Sequence, residues 1–171
     1  KFDYIVGNPP WVNWENLPEE YREVSKVLWT QYGLAEIRGK TGLGKVKRDL
    51  AMLFLARCFD LYLKPGGRHG FLMPFTVFKT QAGAGFREFL ARKTRVLVIH
   101  DMVTLYPFEG ATNRTSAVVV EKVCELRDIK EGKCPEVSKV VAENKRVRHV
   151  TWINRSGKAI PTDTPLEEVL K

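Results

Sequence analysis

Four residues near the start of the chain, Asn8-Pro9-Pro10-Trp11, combine groups that could hold a flat, amino-bearing substrate. The two prolines fix two φ angles and remove two N–H donors, so they predict a rigid turn with available carbonyl groups. The Asn8 amide oxygen and the Pro9 carbonyl are two acceptors suited to a substrate –NH₂ group. The Trp11 ring offers a surface for stacking. A purely structural proline turn, closed by an aromatic side chain, explains the same residues equally well.

Two glycine-rich stretches fit phosphate-binding loops only in part. Residues 39–45 match G-x-x-x-x-G-K, but Val46 stands where Ser or Thr would hold magnesium, and no apolar strand precedes Gly39. Gly83-Ala84-Gly85 lacks the third glycine of the dinucleotide fingerprint, because Glu88 takes its place. We expect a loop in the first case and a helix start in the second.

Neither the histidines nor the cysteines indicate a metal centre or an acid–base pair. His100 and Asp101 are neighbours at the end of a predicted strand, and adjacent strand residues point to opposite faces. Cys58, Cys124 and Cys134 are odd in number and show no C-x-x-C spacing. We therefore expect neither a disulfide framework nor a structural zinc site, and a reducing cytosol fits this cysteine usage.

Composition indicates a globular domain with an anionic partner. The 171 residues are 44% hydrophobic and 28% charged, and no apolar run reaches the ~20 residues of a membrane span. The net charge is +8 and the pI is about 9.5, which favours nucleic acid among partners, although a solvated basic face has the same composition. Five basic residues in one loop are the predicted contacts to a nucleic-acid backbone: Arg38, Lys40, Lys45, Lys47 and Arg48. A second basic cluster contains Lys145, Arg146 and Arg148.

Hydrophobic patterning predicts the elements that position these residues. The predicted strands cover residues 2–7, 70–74, 95–99 and 115–120, and the predicted helices start at Leu17-Pro18 and cover 50–64 and 84–93. Alternating strands and helices predict an α/β fold with a parallel sheet, and the last strand, which follows without a helix, can pair antiparallel. Pro65-Gly66-Gly67 is expected to stop a helix that Asp49 caps.

Burial follows from the same patterns. The first strand is apolar almost throughout, so we expect it to be covered on both faces. The first helix has one apolar face that we expect to be buried: Tyr21, Val24, Val27, Leu28 and Tyr32. The segment from Val140 to Ile153 alternates weakly and could form a strand pair or an added subdomain. A helix is expected to start at Thr164-Pro165.

The motif and its surroundings resemble the N-P-P-[YFW] class of S-adenosylmethionine-dependent amino-methyltransferases, above all the DNA adenine-N6 enzymes. After Asn8-Pro9-Pro10-Trp11, the stretches at residues 49–74, 95–102 and 105–122 follow in the family's order. The long spacer after Trp11 is similar to that of Eco57I-like restriction–modification methylases. The resemblance covers about residues 2–122 and implies a Rossmann-like methyltransferase fold.

The resemblance also implies roles for individual residues. Asn8 and Pro9 would hold the target amino group, Trp11 would stack on the flipped base, and Pro10 completes the motif. Phe108 is the candidate for a second aromatic contact to the base, with Tyr106 as the alternative. The implied cofactor is S-adenosylmethionine, the implied partner is double-stranded DNA, and the implied location is the prokaryotic cytoplasm. No metal is implied.

The chain also departs from the family pattern. The family's glycine-rich cofactor loop lies upstream of the motif, whereas only seven residues precede Asn8 here. We therefore expect residues 1–124 to be the C-terminal half of a catalytic domain, with an exposed sheet edge and an incomplete cofactor site. Residues 125–171 are expected to be a strand-rich extension. A methyltransferase acting on RNA guanine or protein glutamine, or a non-catalytic nucleic-acid-binding module, are the alternatives.

Overall fold

A five-stranded sheet organises the computed structural model, which describes residues 1–35, 48–108, 113–161 and 163–170. The strands are β1 (Phe2–Gly7), β2 (Leu63–Pro74), β3 (Arg95–Met102), β4 (Thr115–Glu121) and β5 (Arg148–Trp152). Their spatial order is β1-β2-β4-β3-β5, with β1 parallel to β2, β5 parallel to β3, and β4 antiparallel to both neighbours. Four strands therefore run in one direction, which confirms the predicted mostly parallel α/β sheet with a late antiparallel strand.

Helices cover the sheet and supply most of the core. They are α1 (Glu19–Gln31), α2 (Leu50–Leu61), α3 (Thr76–Lys79), α4 (Ala84–Lys93), α5 (Leu126–Lys130), α6 (Val137–Glu143) and α7 (Leu166–Val169). Asp49 caps α2 as predicted, because its carboxylate accepts a 2.9 Å hydrogen bond from the Ala51 N–H. Phe59 of α2 and Phe89 of α4 meet edge to face with ring centroids 5.8 Å apart. This contact ties the two helices together.

Strand β2 starts seven residues earlier than predicted. Helix α2 ends at Leu61, and Pro65-Gly66-Gly67 lies inside the strand rather than in a helix stop. Gly66 has a φ of +80°, and the β1–β2 register shifts beside it. A Cβ on Gly67 would lie 2.9 Å from the Asp3 carbonyl oxygen. These glycines therefore form a bulge that lets β2 continue alongside β1.

Exposed apolar side chains on β1 contradict the prediction that it is covered on both faces, and the burial prediction for α1 is wrong for Tyr21, Val24 and Val27, although Leu28 and Tyr32 do pack against the core. Phe2, Tyr4 and Val6 of β1 are all more than 60% exposed. On α1 the buried residue is Trp29, whereas Tyr21, Val24 and Val27 project into solvent. The helix is rotated so that Trp29, with Tyr32 just beyond its end, faces the core. We call the six exposed apolar residues of these two elements the open apolar residues: Phe2, Tyr4, Val6, Tyr21, Val24 and Val27.

In the described part of the chain, β1 has a pairing partner on one side only. It hydrogen-bonds to β2 and forms the edge of the sheet. The predicted exposed sheet edge is therefore confirmed. The unpaired side of β1 leaves main-chain N–H and C=O groups available to another strand.

The described residues after β4 form α5, α6 and α7 but only one strand, so this part of the region is not rich in strands as expected. Its strand, β5, extends the sheet beside β3. The Asn144 side chain fastens the region to the body: its amide donates to the Ala91 and Thr94 carbonyls at 2.9 and 2.7 Å, and its oxygen accepts from the Val96 N–H at 2.9 Å. The predicted domain boundary at residue 124 stays a prediction.

Cys124 and Cys134 form a disulfide, which corrects the expectation drawn from cysteine counting. The segment between them contains the short helix α5, which turns the chain back and brings the two Cα atoms to 6.2 Å. Cys58 is a free thiol in α2, and burial raises its pKa. In the described part of the chain, no helix has the length and apolar character needed to cross a membrane.

Candidate active site

The Asn8-Pro9-Pro10-Trp11 turn starts where β1 ends, at the edge of the sheet where the carboxyl ends of the parallel strands meet. Asn8 and Pro10 are exposed, Pro9 is buried, and Trp11 is half-buried. In sheets of this kind, ligands bind beyond the carboxyl ends of the strands. The turn therefore presents the Asn8 amide at the edge where such sheets bind ligands.

The residues after the turn are held to the start of α2. The Leu50 N–H donates to the Val12 carbonyl at 2.8 Å, and the Trp14 N–H donates to the Arg48 carbonyl at 2.8 Å. The strand holds one end of the turn and these two bonds hold the other. Because the prolines also limit the backbone between them, the two acceptors are preorganised.

Trp11 lies between the end of β2 and the segment that follows β3. Its indole N–H points to the Leu72 carbonyl at 3.4 Å. Its ring meets Phe108 edge to face, with centroids 5.6 Å apart and an interplanar angle of 88°. The structure therefore brings together two residues that are 97 positions apart and were both selected from the sequence. Tyr106 is 40% exposed and makes no ring contact with Trp11 in the described residues.

An ion pair that was not predicted from the sequence joins β3 to the residue just before β4, on either side of the segment that carries Phe108. The Arg114 guanidinium binds both carboxylate oxygens of Asp101, and it also lies over the Phe75 ring at 4.5 Å. The Phe75 N–H donates to the Arg114 carbonyl at 2.8 Å. The sequence offered one signal for this pair: Asp101 lies at the end of one predicted strand and the oppositely charged Arg114 lies just before the next. Bidentate geometry fixes orientation as well as distance.

The C-terminal region supports the other end of the same segment. The Asn154 N–H donates to the Thr104 hydroxyl at 2.6 Å, and the Ile160 N–H donates to the Thr104 carbonyl at 2.8 Å. Leu105 and Ile160 form an isolated parallel bridge. The position of the segment that carries Phe108 therefore depends on Asn154 and Ile160, which lie after the part of the chain that resembles the family.

Two features weighed in the sequence have structural explanations. His100 accepts a 3.0 Å hydrogen bond from the Trp152 indole, while Asp101 pairs with Arg114, so the two side chains do not form a dyad. Burial and the nearby Arg148 charge lower the pKa of His100. A Cβ on Gly83 would lie 1.9 Å from the Val77 carbonyl oxygen. Close packing therefore requires that glycine.

The predicted backbone-contact loop is only partly visible. Arg38, Lys40, Lys45 and Lys47 lie outside the described residues. Arg48 is half-buried at the base of the loop, where burial lowers its pKa and Glu15 opposes that change. Lys145, Arg146 and Arg148 are exposed. Contact with nucleic acid stays a prediction for both clusters.

The turn offers two acceptors for an amino group, whereas the nearby acidic residue Asp3 does not fit the role of a ribose-binding acid. Asp3 is the only acidic residue before Asn8. It lies near the amino end of β1, away from the carboxyl edge, and pairs with Lys64 at 2.5 Å. It is therefore not placed to hold a ribose beside Asn8.

Comparison with solved structures defines the fold class first. A protein from Listeria monocytogenes, described as a class I S-adenosylmethionine-dependent methyltransferase, aligns with 98% of this chain and 41% of its own, with a TM-score of 0.54 and 18% identity. At that identity the likeness shows the fold alone. The chain therefore has the fold of class I methyltransferases.

Comparison of sequences then gives the family. Residues 1–108 match the Eco57I restriction-modification methylase model. The chain is 33% identical over 119 residues to Type II methyltransferase M.XhoI of Xanthomonas vasicola, covering 70% of this chain and 19% of that protein. It is 32% identical over 92 residues to Type II methyltransferase M.HincII of Haemophilus influenzae, covering 53% and 16%. The chain belongs to the Eco57I restriction-modification methylase family and spans less than a fifth of either relative.

Proposed function

We propose that this chain carries the target-base half of the active site of a site-specific DNA methyltransferase that modifies the N6 amino group of adenine, as part of a restriction–modification enzyme. One observation carries the proposal: the Asn8-Pro9-Pro10-Trp11 turn stands at the carboxyl end of a parallel strand, with Phe108 packed against Trp11. Membership of the Eco57I family supports it. S-adenosylmethionine is the methyl source that the fold class implies.

The chemistry assigned to the turn follows from its two acceptors. An exocyclic amine is a weak nucleophile, because its lone pair is delocalised into the ring. When the Asn8 oxygen and the Pro9 carbonyl accept hydrogen bonds from its two N–H groups, the nitrogen is favoured in a pyramidal form with a localised lone pair. This interaction strengthens as the nitrogen becomes positive, so it stabilises the transition state more than the bound substrate.

The aromatic residues have a different role. A base inside a duplex is out of reach of Asn8, so it must be flipped out, at a cost of a few kcal/mol. Stacking on Trp11 and Phe108 offsets part of that cost, since base–aromatic stacking contributes about 1–3 kcal/mol per base. The basic residues of the 38–48 loop would hold the flanking phosphates.

The open apolar residues support a further part of the proposal, that the remainder of the same methyltransferase domain packs against β1 and α1. Within the described residues β1 has an unpaired side, and its Phe2, Tyr4 and Val6 side chains are apolar and exposed. The curated relatives are more than five times as long as the matched part of this chain. By itself the chain should therefore bind S-adenosylmethionine poorly, and calorimetric titration tests this; micromolar affinity would contradict it.

The activity test uses the full-length protein, labelled cofactor, and DNA, RNA and protein substrates in parallel. We expect label in DNA at adenine N6, and loss of at least a hundredfold in kcat for Asn8→Ala. Asn16→Ala is the matched control, because Asn16 is an exposed amide outside the turn. Label in RNA or protein would replace the substrate assignment, and an unchanged rate for Asn8→Ala would remove Asn8 from the mechanism.

A further inference from the structure

Two cysteines and a glutamate converge where the sheet passes into the C-terminal helices, away from the Asn8 turn. Cys124 lies three residues after β4, Cys134 lies between α5 and α6, and Glu136 immediately precedes α6. The Glu136 Oε2 atom is 3.7 Å from the Cys124 sulfur and 3.6 Å from the Cys134 sulfur. The two sulfurs are bonded to each other in the structure.

We propose that, once the disulfide is reduced, Cys124, Cys134 and Glu136 form a binding site for a thiophilic divalent cation such as Zn²⁺. Tetrahedral zinc holds sulfur at about 2.3 Å and carboxylate oxygen at about 2.0–2.2 Å, which places an S and an O ligand about 3.5 Å apart. Both observed S···O separations are already close to that value. All three ligand atoms lie within 4.8 Å of one another.

Little rearrangement separates the bonded state from the metal-binding state. Two thiolates on one zinc lie about 3.8 Å apart, so the sulfurs must separate after reduction. The Cα atoms, 6.2 Å apart, allow this by rotation of the two side chains. The ligands belong to two short stretches already folded together, one after β4 and one before α6, so the site is largely preformed.

The chemistry balances with a dithiol as reductant. The dithiol supplies two electrons and two protons, the S–S bond breaks to give two thiols, and the reductant leaves as its own disulfide. Metal binding then displaces the two thiol protons, because the thiolate is the ligand form. Two thiolates and one carboxylate hold the cation.

Burial and charge suit three ligands with one position open to solvent. Cys134 is buried, Cys124 is half-buried and Glu136 is exposed, so water can complete the coordination. The nearby cations Lys122 and Lys133 have carboxylate partners of their own, Glu125 at 2.7 Å and Glu131 at 2.6 Å. A bound cation would join the end of β4 to the start of α6, on the path to β5.

The test uses the isolated chain, before and after reduction, with thiol counting to follow the disulfide. We expect the count to rise from one to three, and one Zn²⁺ to bind per reduced chain by titration against a chromogenic chelator. Co²⁺ should give thiolate charge-transfer absorption in the reduced chain only. Glu136→Gln should weaken Zn²⁺ binding about tenfold or more, and Cys124→Ser should abolish it.

Two matched controls separate the site from general metal binding. Cys58→Ser keeps both ligand cysteines, and Glu131→Gln removes a neighbouring carboxylate that pairs with Lys133. Both should bind Zn²⁺ as the unmodified chain does, and circular dichroism checks that each variant is folded. Three results would overturn the proposal: equal Zn²⁺ binding before and after reduction, binding that survives Cys124→Ser, or a disulfide that resists reduction while the chain is folded.

Discussion

Strands β1 and β4 have similar apolar character and opposite environments. Val118 and Val120 of β4 are fully buried, whereas Val6 of β1 is 83% exposed. β4 pairs with a strand on each side, and among the residues that the structure describes β1 pairs only with β2. The same side chain therefore contributes to the core in one strand and projects into solvent in the other. An apolar run in the sequence favours burial, but it is buried only where neighbouring elements pack against it.

The helices repeat this contrast. Phe86 and Phe89 of α4 are buried, while Tyr21 and Val24 of α1 are exposed on a face with the same helical spacing. The exposed strand also leads into the Asn8 turn. The candidate active site thus lies between a packed region, formed by α2, β2, α4, β3 and β4, and an open region formed by β1 and α1.

The largest effect is expected inside the packed region, from Gly83→Ala. The new Cβ would lie 1.9 Å from the Val77 carbonyl oxygen, which is backbone and cannot rotate away. We expect a loss of at least about 3 kcal/mol in the free energy of unfolding, measured by urea denaturation. Gly70→Ala is the control, because its Cβ meets only ordinary contacts at 3.8 Å. Equal effects of both substitutions would show that this region is not tightly packed.

A pH dependence should come from His69, which is fully buried in β2 against Phe71 with neither ring nitrogen hydrogen-bonded in the described structure. Burial lowers its pKa from 6.5 to about 4. Between these values the unfolded chain binds more protons, so the free energy of unfolding should fall as pH drops, by up to about 3 kcal/mol.

Asp49 works in the opposite direction over much of the same range. Burial raises its pKa from 3.8 to about 6, so the folded chain binds more protons there and its contribution to stability falls as pH rises. The unmodified chain and the His69→Leu variant both contain Asp49. Its contribution therefore cancels in the difference between their free energies of unfolding. We expect that difference to change by about 3 kcal/mol between pH 7 and pH 4. His149→Leu is the control, because His149 is exposed on β5. A difference in free energy of unfolding between the unmodified chain and His69→Leu that is the same at pH 7 and pH 4 would contradict the prediction.

A pair of identical substitutions tests the contrast between the strands directly. Val120→Ala should cost about 2 kcal/mol in the free energy of unfolding, because it leaves a cavity in the core. Val6→Ala should change it by less than about 0.5 kcal/mol in this chain, since Val6 is already in solvent. If the rest of the domain covers β1, the cost of Val6→Ala should rise towards that of Val120→Ala in the full-length protein. A similar cost for both in the isolated chain would remove the distinction between packed and open regions.

The smallest effect is expected at the Trp11–Phe108 contact, which joins the two regions. A double-mutant cycle with Trp11→Ala and Phe108→Ala should give a coupling energy of about 0.5–1.5 kcal/mol, the range for edge-to-face pairs. A cycle with Trp11→Ala and Tyr106→Ala is the control, because those rings make no contact. Coupling in the control cycle alone would transfer the role of second aromatic to Tyr106.

Much of the fold was readable from local patterns. The bounds of β1 and α4 agree with the prediction to the residue, and β4 to within one. β2 was shortened in the prediction because Pro65-Gly66-Gly67 is a strong helix-stop pattern, whereas Gly66 and Gly67 form a bulge that depends on β1 lying alongside. The disulfide was missed for a similar reason, since spacing alone does not show that α5 turns the chain back.

The candidate site also has features that the sequence predicted and features that it did not. The amino-acid sequence by itself determined a rigid turn with two acceptors and an aromatic ring after a strand, because proline geometry and hydrophobic patterning are local properties. Only the tertiary structure decided that Phe108 rather than Tyr106 meets Trp11, that Arg114 binds Asp101, and that the open apolar residues of β1 and α1 are exposed. Those outcomes depend on contacts between segments far apart in the chain. Residue types and spacing within a single segment do not predict such contacts.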